Sequence, residues 1–313
     1  MILSVSRRTD IPAYYSPWFF NRIREGYLYV RNPFNAHQVS RMDLSPQVVD
    51  CMVFWTKNPA PMLERLGELE AYPYYFHFTL TGYGRDVEPG LPDKRKVLIP
   101  LFQELSRRIG KERVIWRYDP ILVNEVYTAD YHLRAFARIA ESLGDYTERV
   151  VISFLDLYAK TRRNMKGMAL QELTREQMRQ MAAGLADIAF RNRLRIETCA
   201  EAVDLGDAGP VGIAHGSCID QALVERLVGC PLDVGKDRNQ RPECGCVESV
   251  DVGTYNTCPG GCRYCYASYS RERVRETAAL YDAASPLLCG VLGPQDRVTE
   301  RKVRSLKGGC GVK

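Results

Sequence analysis

Val114-Ile115-Trp116-Arg117-Tyr118-Asp119-Pro120 sets the pattern of the chain: a short β-branched and aromatic run that ends in an arginine and an aspartate. Such a run suits a strand. The segment behind it, Thr128 to Leu143, reads as a helix. The same unit recurs on both sides. Candidate strands are Ile2 to Ser6, Cys51 to Trp55, Tyr75 to Leu80, Val114 to Arg117, Val150 to Phe154 and Leu194 to Glu197, each followed by a helix signal. Ser16-Pro17 supplies an N-cap with proline at N1 ahead of a helix ended by Gly26. Further helices are expected over Pro61 to Leu69, Asp93 to Ile109, Thr174 to Arg191 and Cys218 to Val228, with Thr174 and Gln177 as a capping box.

Strands alternating with helices predict a parallel α/β sheet. No Gly-x-Gly-x-x-Gly or Walker sequence follows any strand, which removes support from the usual phosphate-loop nucleotide folds. A complete or partial βα barrel is the expectation, with loops after the strands converging on one mouth. Polar residues recur at those places: Arg7, Arg8 and Asp10, then Lys57 and Asn58, Arg117 and Asp119, Asp156, and finally Glu197 and Cys199. The aromatic run Tyr72 to Phe78 reads as a packed strand rather than a base-stacking surface, and His77 as a satisfied half-buried residue.

The 313 residues are 45% hydrophobic and 26% charged, which excludes a disordered, collagenous or coiled-coil chain. The net charge of +5, from 43 basic and 38 acidic residues, permits an anionic ligand without requiring nucleic acid. Met1 to Arg8 lacks the features of a signal peptide, and no apolar run approaches the roughly 18 residues of a membrane span, so a cytoplasmic protein is expected. Eleven cysteines stand out in that compartment, where thiols stay reduced and clusters more often bind metal than form disulfides. One, Cys51, lies in the first 198 residues, and ten lie in the last 115.

The densest group is Cys258-Pro259-Gly260-Gly261-Cys262-Arg263-Tyr264-Cys265, a C-x3-C-x2-C spacing with an aromatic residue before the last cysteine. Three thiolates in a Gly-Pro loop can face one cluster and leave one metal position open. This segment resembles the cluster motif of the radical S-adenosylmethionine (SAM) superfamily. The resemblance implies a [4Fe-4S] cluster on Cys258, Cys262 and Cys265, SAM bound at the fourth iron, a 5′-deoxyadenosyl radical, and a complete or partial βα barrel. It also places Tyr264 near the adenine and implies a reductant such as flavodoxin or ferredoxin. In that superfamily the motif follows the first strand; here it follows five or six βα units. A circular permutation reconciles the two, with a strand at Val250 to Gly253 before the loop and a helix from Tyr266 to Tyr281 behind it. The Gly-Gly-Glu sequence expected after the next strand is missing. Arg7, Arg8, Thr9 and Asp10 stand there instead, with Asp10 suited to the SAM ammonium and an arginine to its carboxylate.

Most of the chain also resembles a prokaryotic family known as DUF1848. The residues that carry the likeness are Ser6 to Pro12, Phe54 to Pro59, Arg117 to Pro120, Cys218 to Asp220 and the Cys244 to Ala267 block. It implies no particular substrate. Arg117-Tyr118-Asp119-Pro120 is similar to a strand end of spore photoproduct lyase-like radical enzymes, which makes DNA lesion repair one conceivable activity. Arg117 and Asp119 are therefore the candidate catalytic pair, acting on a small-molecule or nucleic-acid substrate.

Cys244 and Cys246, with Cys199 and Cys218 at loops after strands, form a candidate second site: an additional [4Fe-4S] cluster, a zinc site, or small buried hydrophobes. Residues 1–198 are read as βα-barrel units and 199–284 as a cysteine-rich segment completing the same barrel. Residues 285–313 are read as a flexible C-terminal tail in which Cys289 and Cys310 are incidental. Two further readings stay open: an iron–sulfur electron-transfer or redox-sensing protein without SAM chemistry, and a zinc-containing nucleic-acid-binding protein.

Overall fold

The runs rich in Val, Ile, Phe and Tyr become strands because each can bury both of its faces, as parallel strands between two layers must. In the computed structural model, which describes residues 1–157, 159–210 and 212–308, the first half runs β1 (Ile2–Val5), α1 (Ile11–Tyr14), α2 (Ser16–Glu25), β2 (Tyr27–Asn32), β3 (Asn35–Asp43), β4 (Cys51–Thr56), β5 (Tyr74–Thr79), α3 (Ile99–Ile109), β6 (Val114–Ile121) and α4 (Ala129–Leu143). The second half runs β7 (Arg149–Phe154), α5 (Ala159–Asn164), α6 (Arg175–Arg191), β8 (Arg195–Cys199), β9 (Ala214–Gly216), α7 (Gln221–Val228), β10 (Val250–Asp251), α8 (Arg271–Ala278) and β11 (Arg297–Glu300). Cys310 lies outside the described residues.

Eight strands form one sheet in the order β10-β1-β4-β5-β6-β7-β8-β9, and every neighbouring pair is parallel. This is a large α/β sheet compatible with a partial βα barrel, with β10 and β9 at its two edges. The expected strand at 250–253 is present as two residues, Val250 and Asp251, paired with Leu3 and Ser4 of β1.

Period-two alternation sorts side chains between the two faces. Leu3, Val5, Met52, Phe54, Phe76, Trp116 and Ile152 enter the core shared with helices α2, α3, α4 and α6. Phe54 and Phe76 stack there at 4.6 Å. Their alternates Ile2, Val53, Tyr75, Ile115 and Val151 pack against Cys218, Leu223, Val224, Cys244 and Val247. The late cysteine-bearing segment thus covers the inner face of the sheet. The Tyr72 to Phe78 run is buried as an aromatic strand, and His77 is fully rather than half buried.

Several boundaries differ from expectation for local reasons. Residues 60–69 form a 3-10 helix, and the helix expected from Asp93 opens with a π turn over Lys94–Leu98 before α3. The helix expected from Cys218 begins at Gln221, because the Asp220 side chain accepts from Leu223 N–H and caps it there. That leaves Cys218 in the loop after β9. The helix expected from Tyr266 shortens to α8, capped by Ser270, because residues 266–269 close the cysteine loop. The hairpin β2–β3 was not legible, since much of β3 is exposed and polar. It also recruits the segment expected to be flexible: β11 pairs in parallel with β3, Arg31 forms an ion pair with Asp296 at 2.7 Å, and Asp50 accepts from Ser305 Oγ and Leu306 N–H. Residues 285–308 are therefore docked on the body. Among the described residues no helix is long and apolar enough to cross a membrane.

Candidate functional site

Because the eight strands are parallel, all their C-terminal ends lie along one edge of the sheet, where polar loop residues meet. The cysteine loop is tied to that edge by Asp251. Its carboxylate accepts from Ser4 Oγ (2.9 Å), Ser6 Oγ (2.6 Å), Arg7 N–H (2.8 Å) and Gly253 N–H (2.9 Å). Thr9 Oγ1 donates to the Thr254 carbonyl at 2.9 Å and Tyr15 Oη to that of Thr257 at 2.5 Å. Asn256, in the left-handed region at φ 60°, closes the loop through Ala267 O and Tyr269 N–H. Gly260 packs closely here: a Cβ there would lie 3.2 Å from Tyr14 Oη, a tight approach, and 3.5 Å from Cys258 Sγ, an ordinary contact.

Cys258, Cys262 and Cys265 are neighbours within this loop, partly shielded and coupled electrostatically to one another. Burial pushes the Cys258 thiol up and the Cys262 thiol to about 12, so neither ionises readily without a cation beside it. Asp10 stands next to Cys258. It caps α1 through Ala13 N–H (3.0 Å) and accepts from Lys57 N–H (2.8 Å). Burial outweighs these hydrogen bonds and raises its carboxyl to about 6. Arg8 lies over the Tyr255 ring at 5.0 Å.

Behind Cys262 is an ionic network. Lys57 Nζ donates to Glu88 Oε1 at 2.9 Å and to Tyr264 Oη at 2.7 Å, Tyr264 Oη donates to Glu88, and Lys94 pairs with the other Glu88 oxygen. Burial works to raise Glu88, but Lys57 and Lys94 together outweigh it and hold the carboxylate at about 2. Tyr264, expected beside an adenine, spends its hydroxyl on this network.

The other four candidate cysteines also meet. Cys199 and Cys218 have Sγ atoms 3.2 Å apart, and Cys218, Cys244 and Cys246 lie in one buried cluster against which Cys199 packs. Arg117 Nη1 donates to Cys218 Sγ at 2.8 Å while its Nε and Nη2 grip Asp119 at 3.2 and 2.7 Å. Asp119 in turn accepts from Ser153. Burial opposes ionisation of Asp119, yet Arg117 and Ser153 bring it below the usual carboxylate range. Arg7 lies over Trp55 at 5.3 Å and faces Cys246 and Cys218. Asp119 bridges the two halves of the mouth, interacting electrostatically with Lys57 and with Cys199.

The expected residues thus divide. Arg8, Asp10 and Tyr264 surround the Cys258 loop, whereas Arg7, Arg117 and Asp119 surround the second thiol group. Two strand-end acids stand apart: Asp156 pairs with Arg241 at an exposed position, and Glu197 pairs with Arg149 and Arg195. Glu88, Lys94, Ser153 and Asp251 were missed, because loop residues without a motif carry no sequence signal of convergence. Among the described residues, no three His, Cys, Asp or Glu side chains converge on a point as ligands of one metal ion.

No curated protein matches the chain. The model of a family described as a domain of unknown function, DUF1848, matches residues 2–267, which takes in every strand of the parallel sheet and both thiol groups. By that match, the chain belongs to the DUF1848 family.

Proposed function

We propose that the chain is an iron–sulfur enzyme of radical SAM type, with Cys258, Cys262 and Cys265 as thiolate ligands of a [4Fe-4S] cluster. The observation that carries this reading is the position of the C-x3-C-x2-C loop. It leaves β10, which lies beside β1 at the sheet edge, so the loop reaches the mouth from where the first strand of a barrel would stand. Read from β10, the strands β1, β4, β5, β6, β7, β8 and β9 follow in order across the sheet, which supports a circularly permuted partial barrel.

The donor set fits the group. Three soft sulfurs within eight residues, with no fourth thiol in the loop, suit a cubane that keeps one iron open. Each thiolate of a cubane binds its own iron, so the three need not converge on a point. When bound, the cluster and SAM supply reductive cleavage of a carbon–sulfur bond and a carbon radical for hydrogen abstraction, with electrons from a donor such as flavodoxin or ferredoxin.

The chain's own residues do the rest. Asp251 and Asn256 hold the loop in shape, and Gly260 leaves room beside Cys258. Asp10 stands next to that sulfur and Arg8 lies at the start of the same loop, over Tyr255, opposite charges suited to an ammonium and a carboxylate. Lys57, Lys94, Glu88 and Tyr264 form a buried wall behind Cys262, with two cations on one carboxylate. Arg117 and Asp119 form the floor between the two thiol groups.

The test is anaerobic reconstitution of the full chain followed by SAM and dithionite. The expected results are 5′-deoxyadenosine and a SAM-dependent change in the cluster's EPR signal, both lost in Cys262→Ala along with that cluster's iron. Iron-loaded protein that yields neither would sink the SAM chemistry and favour electron transfer or redox sensing. Protein that takes up zinc and no iron would sink both iron readings.

A further inference from the structure

Cys199, Cys218, Cys244 and Cys246 come from the end of β8, the loop after β9 and the segment that returns along the inner face of the sheet. Folding brings the four thiols together: Cys199 and Cys218 Sγ lie 3.2 Å apart, and Cys218, Cys244 and Cys246 share one buried cluster against which Cys199 packs. They are not disulfides: the 3.2 Å between Cys199 and Cys218 exceeds the roughly 2.05 Å of an S–S bond. They are not simply small core residues either, because one side of the group is lined by cations and donors. Arg117 Nη1 lies 2.8 Å from Cys218 Sγ, and Ile219 N–H points at Cys246 Sγ from 3.3 Å. The Arg7 guanidinium faces Cys218 and Cys246, and its Nη2 is buried with no hydrogen-bond partner among the described residues.

A buried guanidinium needs negative charge nearby; Asp237, 3.9 Å away, and Asp251 supply part of it to Arg7, and neither gives its Nη2 a hydrogen bond. Four neutral thiols do not supply that charge; four metal-bound thiolates do. N–H···S contacts of this kind surround metal–thiolate centres and set their potentials. A cubane takes one thiolate per iron, and the four thiols gathered here from three segments match its four positions.

We propose that Cys199, Cys218, Cys244 and Cys246 ligate a second iron–sulfur cluster of [4Fe-4S] type, with Arg117 and Arg7 as its charge partners. Loading separates Cys199 from Cys218; Cys199 ends β8 and Cys218 lies in the loop after β9, where a side-chain rotation is local. The cluster is closed by four protein ligands, so its role is electron relay or support of the mouth rather than SAM binding. This inference does not depend on SAM chemistry.

Iron and sulfide analysis of two anaerobically reconstituted full-length variants tests it. The Cys258→Ala/Cys262→Ala/Cys265→Ala protein, with the second group intact, is expected to keep about four irons and four sulfides and a [4Fe-4S] EPR signal unchanged by SAM. Cys218→Ser/Cys246→Ser is expected to lose half the iron of the unmodified chain and keep the SAM-responsive signal. Should the second variant fail to fold, the first still decides. A triple variant that binds no iron, or binds zinc alone, overturns the second cluster. Loss of 5′-deoxyadenosine formation with both iron counts as expected would instead strike only the SAM reading. Arg117→Leu adds a separate reading: it is expected to make the second cluster harder to reduce while leaving the first unchanged, and equal potentials with and without the guanidinium would remove Arg117 as a charge partner.

Discussion

The two thiol groups sit at the same mouth and are built in opposite ways. The Cys258–Cys265 group is local in sequence: its cysteines lie within eight residues, and hydrogen bonds at the loop ends and from the Ser4–Tyr15 segment hold its shape. The Cys199, Cys218, Cys244 and Cys246 group is assembled from three separate segments and exists only if β8, β9 and the 244–247 segment dock correctly on the sheet. Local construction resists distant perturbation. A site assembled by packing inherits the stability of every element that carries a ligand.

The largest effect that should separate them is at Arg149, a buried cation paired with Glu197 of β8 at 3.3 Å and with Asp220, the cap of α7, at 2.6 Å. Arg149→Met leaves Asp220 without its ion-pair partner and Glu197 with Arg195 alone, beside the elements that carry Cys199 and Cys218. It should cost about 3–5 kcal/mol by urea unfolding and lower iron at the second group before the first. Equal iron loss at the two groups, or an unchanged urea midpoint, would erase the contrast.

A smaller effect should touch both groups alike. His132 is fully buried and neutral, with Tyr118 Oη at Nδ1 and the Leu122 carbonyl at Nε2, both 2.8 Å away. Burial lowers its pKa from 6.5 to about 4. A depressed histidine contributes stability above its unfolded pKa, and that contribution falls away as pH drops from about 6.5 through 4, by about 3 kcal/mol. Unfolding curves at pH 7 and pH 4 should show this loss in the native chain and a shallower one in His132→Gln. Matching slopes would mean that other groups govern the acid response.

The smallest effect should fall on the local group. Lys57→Met removes one of the two cations on Glu88, but Lys94 remains, so the expected cost is about 2 kcal/mol. Glu88 should also lose part of its downward shift, and the wall behind Cys262 should loosen while the second group keeps its iron. A second group that lost iron first would show that the local loop is not the independent unit described here.

The same contrast explains what was legible in the sequence. The strands carrying Val53, Phe76, Ile115 and Ile152 announce themselves by apolar runs, and the Thr174 cap by its partner Gln177, because neighbours in sequence act on each other directly. The C-x3-C-x2-C loop is legible for that reason. The hairpin at 27–43 was not, since β3 is largely polar and gains its place by pairing with β11 from the far end of the chain. Glu88 and Lys94 were missed because a buried ion network is a property of distance in space. Arg117 and Asp119 were found by their strand-end position, but their engagement with Cys218 and Ser153 was not.

By itself, the sequence determined the parallel α/β class, most of the strands and helices, and one loop whose three cysteines are neighbours in the chain. Tertiary structure decided the rest: β10 against β1, the docked 285–308 segment, the Lys57–Glu88–Lys94 wall, and the meeting of Cys199, Cys218, Cys244 and Cys246. The physical reason is range. Propensity, capping and loop chemistry act over a few residues, whereas ion pairing, burial and thiol contact depend on which distant segments the hydrophobic core brings together.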